Sequence, residues 1–254
     1  MIKAVIFDMD GVLIDSELEY LKFDLEFAQR KNPSVTLEQL YGMVGSSRED
    51  AWRCMERAVN NGQTWRELRD EFRQRDVFAE MDYRSIFRKE ATGVLKELKR
   101  RGYRLALASS TQMDIIERVL TENEIKEYFE VIVTGAMFKR SKPDPEIYHY
   151  TADKLGLSEK ECLVIEDSAF GIMAAHSAGM PIVAVIDERF GFDQSLADHH
   201  IHRLEEILEL PEIRQMSKNR NYPERSVFLP HQGRIKKNPT SSRILRLRRI
   251  APAA

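Results

Sequence analysis

The chain has 254 residues, of which 43% are hydrophobic and 31% are charged, and its formal net charge is −2. This composition is ordinary for a globular protein, and the near-neutral charge argues against strong overall affinity for nucleic acids. The length allows one large domain, or a core with a smaller insertion.

The first predicted element is an apolar strand that begins at Ala4 and ends in two carboxylates, Asp8 and Asp10. Residues i and i+2 of a strand share one face, so these two acids can converge on one point. Gly11 allows the chain to turn directly after them. Ligands of open α/β sheets bind beyond the carboxyl ends of the strands. We therefore expect a metal site or a catalytic site at this end of the first strand.

The next segment, residues 16–81, has helical periodicity, many charged residues and no convincing strand pattern. Thr36–Gln39 and Thr64–Glu67 both match the capping-box pattern that begins a helix. Because the segment directly follows the two acids, a helical domain here would cover the crevice and could close over a substrate. We predict that residues 16–81 form a helical cap.

Beyond about residue 82, apolar runs alternate with amphipathic stretches, which is typical of βαβ units. The predicted strands are Tyr103–Ala108, Val131–Val133, Cys162–Ile165 and Pro181–Val185. Such units give a parallel sheet with helices on both faces. The predicted fold is therefore α/β, with a doubly wound, mostly parallel, Rossmann-like sheet from residues 1–15 and 82–210 and an inserted helical cap.

Residues 211–254 have a different composition, with eleven lysines and arginines but only two acids and few apolar side chains. We expect this segment to be a basic, disordered tail outside the fold. Nucleic acid or acidic membrane binding through the tail is the alternative that this composition leaves open.

The sequence favours a cytoplasmic location without membrane insertion. Cys54 and Cys162 have neither the spacing of a zinc site nor that of a disulfide framework, which favours a reducing compartment. The N-terminal apolar stretch is short and is interrupted by Asp8 and Asp10, so we expect no signal peptide and no membrane span.

Three more polar clusters follow later apolar runs, at Ser109–Thr111, Ser141–Pro145 and Glu166–Ser168. In a parallel sheet these clusters lie at the same edge as Asp8 and Asp10. A hydroxyl, an ammonium group and two pairs of acids are the groups that phosphoryl transfer requires, because its catalysis depends on positioning and on stabilising negative charge.

Each candidate residue has a predicted role in that chemistry. Asp8 can attack phosphorus to form an aspartyl-phosphate, while Asp10 serves as acid in one half-reaction and as base in the other. Carboxylates this close together require a divalent cation with oxygen ligands, and Mg²⁺ held by Asp8, Asp10 and Asp167 is the expected cofactor. Lys142 and Ser109 would hold the phosphoryl group in line.

These four motifs, in order and spacing, resemble those of the haloacid dehalogenase superfamily, and most closely its phosphatase and β-phosphoglucomutase-like branch. The resemblance covers residues 1 to about 210, including the helical insertion. It implies Asp8 as nucleophile, Asp10 as acid/base and backbone-carbonyl metal ligand, and Asp167 as metal ligand, with Glu166 beside it as a supporting acid at the metal.

The resemblance also suggests two substrate contacts and separates the members of the branch. Arg48 resembles a cap-loop residue that contacts substrate, and Ser110 is a second candidate, although both also suit ordinary helix starts. Acids that require a metal argue against a dehalogenase. Ser16 and Tyr20 stand where the mutases usually have Thr and His, which argues against a mutase. The expected substrate is a small phosphorylated metabolite, such as a sugar phosphate.

Three alternatives to the phosphatase stay open at this point. The first is a phosphosugar mutase, the second is a non-catalytic regulatory protein on the same fold, and the third is a nucleic-acid binder that uses the basic tail. The sequence leaves the physiological substrate and the oligomeric state undetermined.

Overall fold

The structure, a computed structural model, describes residues 1–46 and 48–214, with Arg48 described by its backbone alone. Its centre is a six-stranded sheet in the order β3-β2-β1-β4-β5-β6. The strands are β1 (Ala4–Phe7), β2 (Arg104–Ser109), β3 (Val131–Thr134), β4 (Cys162–Glu166), β5 (Ile182–Val185) and β6 (His199–Ile201). Every pairing in this sheet is parallel. The predicted doubly wound α/β fold is therefore confirmed.

Helices cover both faces of the sheet, because strand residues alternate between two apolar cores. Val5 and Phe7 of β1 lie in the core that α5 and α6 share, whereas Ala4 and Ile6 lie in the opposite core with α7 and α8. The helices are α1 (Glu17–Lys31), α2 (Arg48–Val59), α3 (Trp65–Phe72), α4 (Val77–Glu80), α5 (Glu90–Arg100), α6 (Met113–Glu122), α7 (Glu146–Leu155), α8 (Ala169–Ser177) and α9 (Pro211–Arg214). Strands buried on both faces explain the continuous apolar runs in the sequence.

In the sequence between β1 and β2, the helices α1 to α3 form a separate apolar cluster around Leu21, Leu40 and Met55. Thr64 begins α3 with the predicted capping box. This cluster is attached to the loop between β5 and β6 by an edge-to-face contact of Tyr41 with Phe190, whose ring centroids are 5.8 Å apart. Among the described helices, none is both long and apolar enough to cross a membrane.

The structure differs from the sequence-based expectation at two places near the C terminus. Strand β6 was not predicted, because it has three residues and two of them are His199 and His200. The segment predicted as a tail begins with α9, in which Ile213 is fully buried and its carbonyl accepts a hydrogen bond of 2.8 Å from the Tyr103 hydroxyl. Because the residues around Ile213 are mostly charged, the sequence pattern did not indicate this buried position. The rest of the predicted tail, residues 215–254, lies outside the described residues.

Candidate active site

The central strands β1 and β4 bring two pairs of acids to one edge of the sheet. Phe7 lies opposite Ile165, so Asp8 follows β1 beside Glu166, the last residue of β4, and Asp167 comes directly after it. Carboxylate oxygens of Asp8, Glu166 and Asp167 lie within 4.8 Å of one another, and all three residues are buried. The strand order reverses between β1 and β4, which is the point where ligands of doubly wound sheets bind.

Lys142 joins this acid cluster from the loop before α7. Its Nζ donates hydrogen bonds to Asp8 Oδ1 at 2.5 Å, to Glu166 Oε1 at 2.7 Å and to the Ala108 carbonyl at 3.0 Å. Burial favours the neutral amine, but the charges of Asp8 and Glu166 outweigh it and raise the pKa of Lys142 well above its usual value. The side chain is therefore a fixed ammonium group at the Asp8 carboxylate.

Glu166 is the most completely hydrogen-bonded member of the cluster. Besides Lys142, its Oε1 accepts a bond from the Tyr148 hydroxyl at 2.9 Å. Its Oε2 accepts bonds from the backbone N–H groups of Asp167 and Ser168 and from the Ser168 hydroxyl. Burial raises the pKa of Glu166, but Lys142 outweighs it and the net shift is downward. These bonds favour a role in positioning Lys142 over the predicted role as a metal ligand.

Asp167 has the opposite environment, because its buried carboxylate has no hydrogen-bond donor or cation among the described side chains. Burial, together with the charges of Glu166 and Asp8, raises its pKa well above the usual value. Burial is also the main reason that the pKa of Asp8 is raised to about 7. A cation bound between the two carboxylates would hold both of them ionised.

Gly11 makes the close approach of Asp167 possible. A Cβ atom at Gly11 would lie 2.0 Å from Asp167 Oδ2, and the backbone φ of +73° is itself unfavourable for other residues. The glycine of the first motif therefore does more than turn the chain away from the acids. It leaves the space that the acid of the last motif occupies.

Asp10 lies outside the three-acid cluster, and both oxygens of its carboxylate are held by hydroxyl groups. Oδ1 accepts a hydrogen bond of 2.7 Å from Ser16, and Oδ2 accepts one of 2.7 Å from Thr111. Burial raises the pKa of Asp10. The hydrogen bonds from Thr111 and Ser16 oppose this rise in the pKa, and they orient the carboxylate. A carboxyl group with a fixed orientation and a raised pKa suits an acid/base role.

The remaining predicted residues have different surroundings. Ser109, the last residue of β2, is fully buried, and its hydroxyl accepts a bond of 3.1 Å from the Thr111 N–H. Ser110 is exposed and lines a cavity of about 880 Å³ that Phe78 and Arg118 also line. Arg48 begins α2, but its side chain lies outside the described part of the chain, so its substrate contact stays a prediction.

Sequence reasoning missed several groups that orient the acids. Thr111 lies within a motif that we singled out, but its bond to Asp10 spans 101 residues of sequence. Tyr148 reaches Glu166 from the middle of α7, where an aromatic residue at helical spacing resembles ordinary core packing. Ser16 appeared only as a departure from the mutases. None of these contacts has a local signal in the sequence.

Gly171 provides a test of how rigidly Glu166 is held. A Cβ atom at this position in α8 would lie 1.7 Å from Glu166 Oε1. We expect Gly171→Ala to lower the free energy of unfolding by about 3 kcal/mol or more, because the carboxylate cannot move without losing its bonds. Denaturant unfolding would measure the change.

The matched control is Gly93→Ala in the middle of α5, where the added carbon would have no neighbour within 4 Å. This substitution should stabilise the protein by about 1 kcal/mol through helix propensity alone. Equal effects of the two substitutions would show that the packing of Glu166 against α8 is not rigid.

Known proteins are similar to this chain in sequence and in fold. The chain is 32% identical over 203 residues to a phosphorylated carbohydrates phosphatase of Thermotoga maritima, across 77% of this chain and 88% of that protein. It is 29% identical over 190 residues to hexitol phosphatase B of Escherichia coli, across 72% and 83% of the two chains. The crystal structure of a β-phosphoglucomutase from Clostridium difficile has the same fold, with a TM-score of 0.64 at 23% identity over 85% of this chain and 97% of that one.

A family model also matches most of the chain. The model of the haloacid dehalogenase-like hydrolases matches residues 5–185, a range that contains every acid of the cluster, Asp10 and Lys142. This range includes the strands β2 to β5, all of β1 except its first residue, and the helices α1 to α4. The chain therefore belongs to the haloacid dehalogenase-like hydrolases.

Proposed function

We propose that the protein is a magnesium-dependent phosphatase that hydrolyses a small phosphate monoester, such as a sugar phosphate, through an aspartyl-phosphate. The observation that carries this proposal is the Lys142 ammonium group hydrogen-bonded to Asp8, two residues before Asp10. The Asp167 carboxylate, which has no partner among the described side chains, lies within 4.8 Å of the Asp8 carboxylate. The names of two relatives, a phosphorylated carbohydrates phosphatase and a hexitol phosphatase, support the same class of substrate.

The donor set suits Mg²⁺, which prefers oxygen ligands and few protein side chains. We assign Asp8 and Asp167 as carboxylate ligands, since each has an oxygen that no described donor occupies, and the Asp10 carbonyl as a third ligand. The ion would neutralise charge on the phosphoryl oxygens and keep both carboxylates ionised. Glu166 then supports the site through Lys142, because its own oxygens already accept five hydrogen bonds.

In the first half-reaction, an Asp8 carboxylate oxygen forms a bond to phosphorus while the bond from phosphorus to the leaving oxygen breaks. Asp10 donates its proton to that oxygen, and the alcohol departs. Lys142 and the donors near Ser109 stabilise the negative charge of the phosphoryl group in flight. Ser109 contributes mainly by shaping this loop, since its hydroxyl already accepts the Thr111 N–H.

In the second half-reaction, a water molecule attacks the phosphorus of the aspartyl-phosphate, and Asp10 removes its proton. Phosphate is released and the Asp8 carboxylate is regenerated. Ser16 and Thr111 hold the Asp10 carboxylate in one orientation during both steps. We further propose that residues 16–81 act as the cap that selects the alcohol.

Phosphate release from sugar phosphates and other small monoesters, measured with Mg²⁺ and with a chelator, tests this function. We expect release with Mg²⁺, loss of at least about 100-fold with the chelator, and recovery when Mg²⁺ is restored. Release that is insensitive to the chelator would contradict the metal assignment. Isomerised sugar phosphate without free phosphate would show a mutase, and the absence of any turnover would favour a regulatory role.

A further inference from the structure

The direction of the Asp167 carboxylate depends on its main chain, because no described side chain bonds to its oxygens. On one side, the Asp167 N–H donates a hydrogen bond of 3.0 Å to Glu166 Oε2. On the other side, the Asp167 carbonyl accepts one of 2.6 Å from the side-chain amide of Gln194, which lies in the loop between β5 and β6. The main chain at Asp167 is therefore held from both sides.

The Gln194 amide also joins the ends of two neighbouring strands. Its nitrogen donates a second hydrogen bond, of 2.9 Å, to the Val185 carbonyl. The last paired residues of β4 and β5 are Glu166 and Ala184, so Asp167 and Val185 are the next residues in that register. An amide nitrogen has two N–H groups, and here two carbonyls accept from it. The side chain thus connects the two strands one residue beyond their last pair.

The loop that carries Gln194 has attachments of its own. Nη2 of Arg189 donates to Asp15 Oδ1 at 2.6 Å. The Phe190 ring packs against the apolar cluster of the helices α1 to α3. The Gln194 carbonyl accepts a hydrogen bond of 3.0 Å from the Ala197 N–H. These contacts fix the position of Gln194 independently of the two carbonyls to which its side chain donates.

We propose that Gln194 is a positioning residue for the cation site, which directs the Asp167 carboxylate toward that of Asp8 by holding the Asp167 carbonyl. This inference rests on the proposed function, in which the two carboxylates bind Mg²⁺. Mg²⁺ demands ligands near ideal octahedral positions, so a small rotation of the Asp167 main chain would weaken its binding. Loss of a group that orients a metal ligand typically lowers metal affinity by about 10–100-fold.

The test is titration calorimetry of the full chain with Mg²⁺ and, separately, with Ca²⁺, in the absence of substrate. Gln194→Met has a side chain of similar length without a donor, and its Mg²⁺ affinity should be about tenfold lower than that of the wild type. Its Ca²⁺ affinity should fall less than about threefold, because Ca²⁺ accepts more varied ligand geometry. Phosphate release should need about tenfold more Mg²⁺ for half of its maximum, while the maximum stays within about threefold.

Two further variants separate positioning from a general loss of stability. Gln29→Met is the matched control, because the Gln29 amide also donates to a backbone carbonyl, that of Val35 at 2.9 Å, among the helices that follow β1. It should leave both affinities unchanged. Gln194→Asn keeps the amide on a side chain one carbon shorter and should have a Mg²⁺ affinity between those of Gln194→Met and the wild type. This milder variant provides the same comparison if Gln194→Met does not fold.

The possible results distinguish failure of the positioning role from failure of the metal assignment. If the wild type bound neither Mg²⁺ nor Ca²⁺, the metal assignment would be contradicted and this inference with it. Binding by the wild type with unchanged Mg²⁺ affinity in the Gln194 variants would overturn the positioning role alone. Equal losses of Mg²⁺ and Ca²⁺ affinity, or an equal loss in Gln29→Met, would also overturn it, because either result would show a general weakening of the protein.

Discussion

Asp8→Asn should reduce phosphate release by at least about 10⁴-fold without unfolding the protein, the largest effect on turnover that we expect. The amide has nearly the shape of the carboxylate but cannot act as the nucleophile that bonds to phosphorus. Asp8 is buried at the end of β1, and its backbone N–H donates to the Ile165 carbonyl at 2.9 Å in either variant. Phosphate release at saturating Mg²⁺, measured beside circular dichroism, would check both parts.

The control for this experiment is Asp70→Asn, which makes the same chemical change at a residue whose side chain is 62% exposed. It should keep wild-type turnover, since among the described residues Asp70 pairs with Arg69 alone, at the surface. If Asp8→Asn kept more than about one hundredth of the activity, Asp8 could not be the nucleophile, and a directly activated water would replace the covalent step.

Lys142→Met should give the largest combined loss, with the free energy of unfolding lower by about 3–5 kcal/mol and turnover lower by at least about 100-fold. The substitution leaves Glu166 and Asp8 buried without the ammonium group that compensates both of them. At this chain length the melting temperature should fall by about 10 °C. Calorimetry of the wild type and Lys142→Met without metal would measure the change in stability separately from the change in turnover.

Lys126→Met serves as the comparison, because Lys126 makes one ion pair with Glu117 and its side chain is 51% exposed. Exposed pairs contribute at most about 1 kcal/mol, so its melting temperature should change by only a few degrees. A similarly small change in Lys142→Met would mean that the buried acids bind protons instead of requiring the lysine.

Most of the sheet was predictable because its strands are buried on both faces and appear as uninterrupted apolar runs, as in β2 and β4. The acids were predictable because they directly follow those strands, where a parallel sheet gathers polar side chains. Strand β6 escaped prediction because pairing beside β5 stabilises it more than its own residues do. Local sequence does not encode such a tertiary effect.

The assignment of Glu166 shows a different limit of sequence reasoning. An acid next to Asp167 suggests a second metal ligand, whereas the contacts of Lys142 and Tyr148 show that its oxygens are already engaged.

The two hydroxyl bonds to Asp10 connect catalysis to the arrangement of the chain around it. Ser16 directly precedes the first helix of the helical region, and Thr111 lies just after β2. The Asp10 carboxylate therefore accepts one hydrogen bond from each of these two parts of the chain. The orientation of the Asp10 carboxylate therefore depends on the position of the helical region relative to the sheet. Displacement of the helical region would remove the hydrogen bond from Ser16 and leave only the one from Thr111. The Asp10 carboxylate would then be oriented on one side only. In the proposed mechanism, protonation of the leaving alcohol would then be coupled to enclosure of the substrate, and this coupling would limit attack on a substrate that is only partly bound.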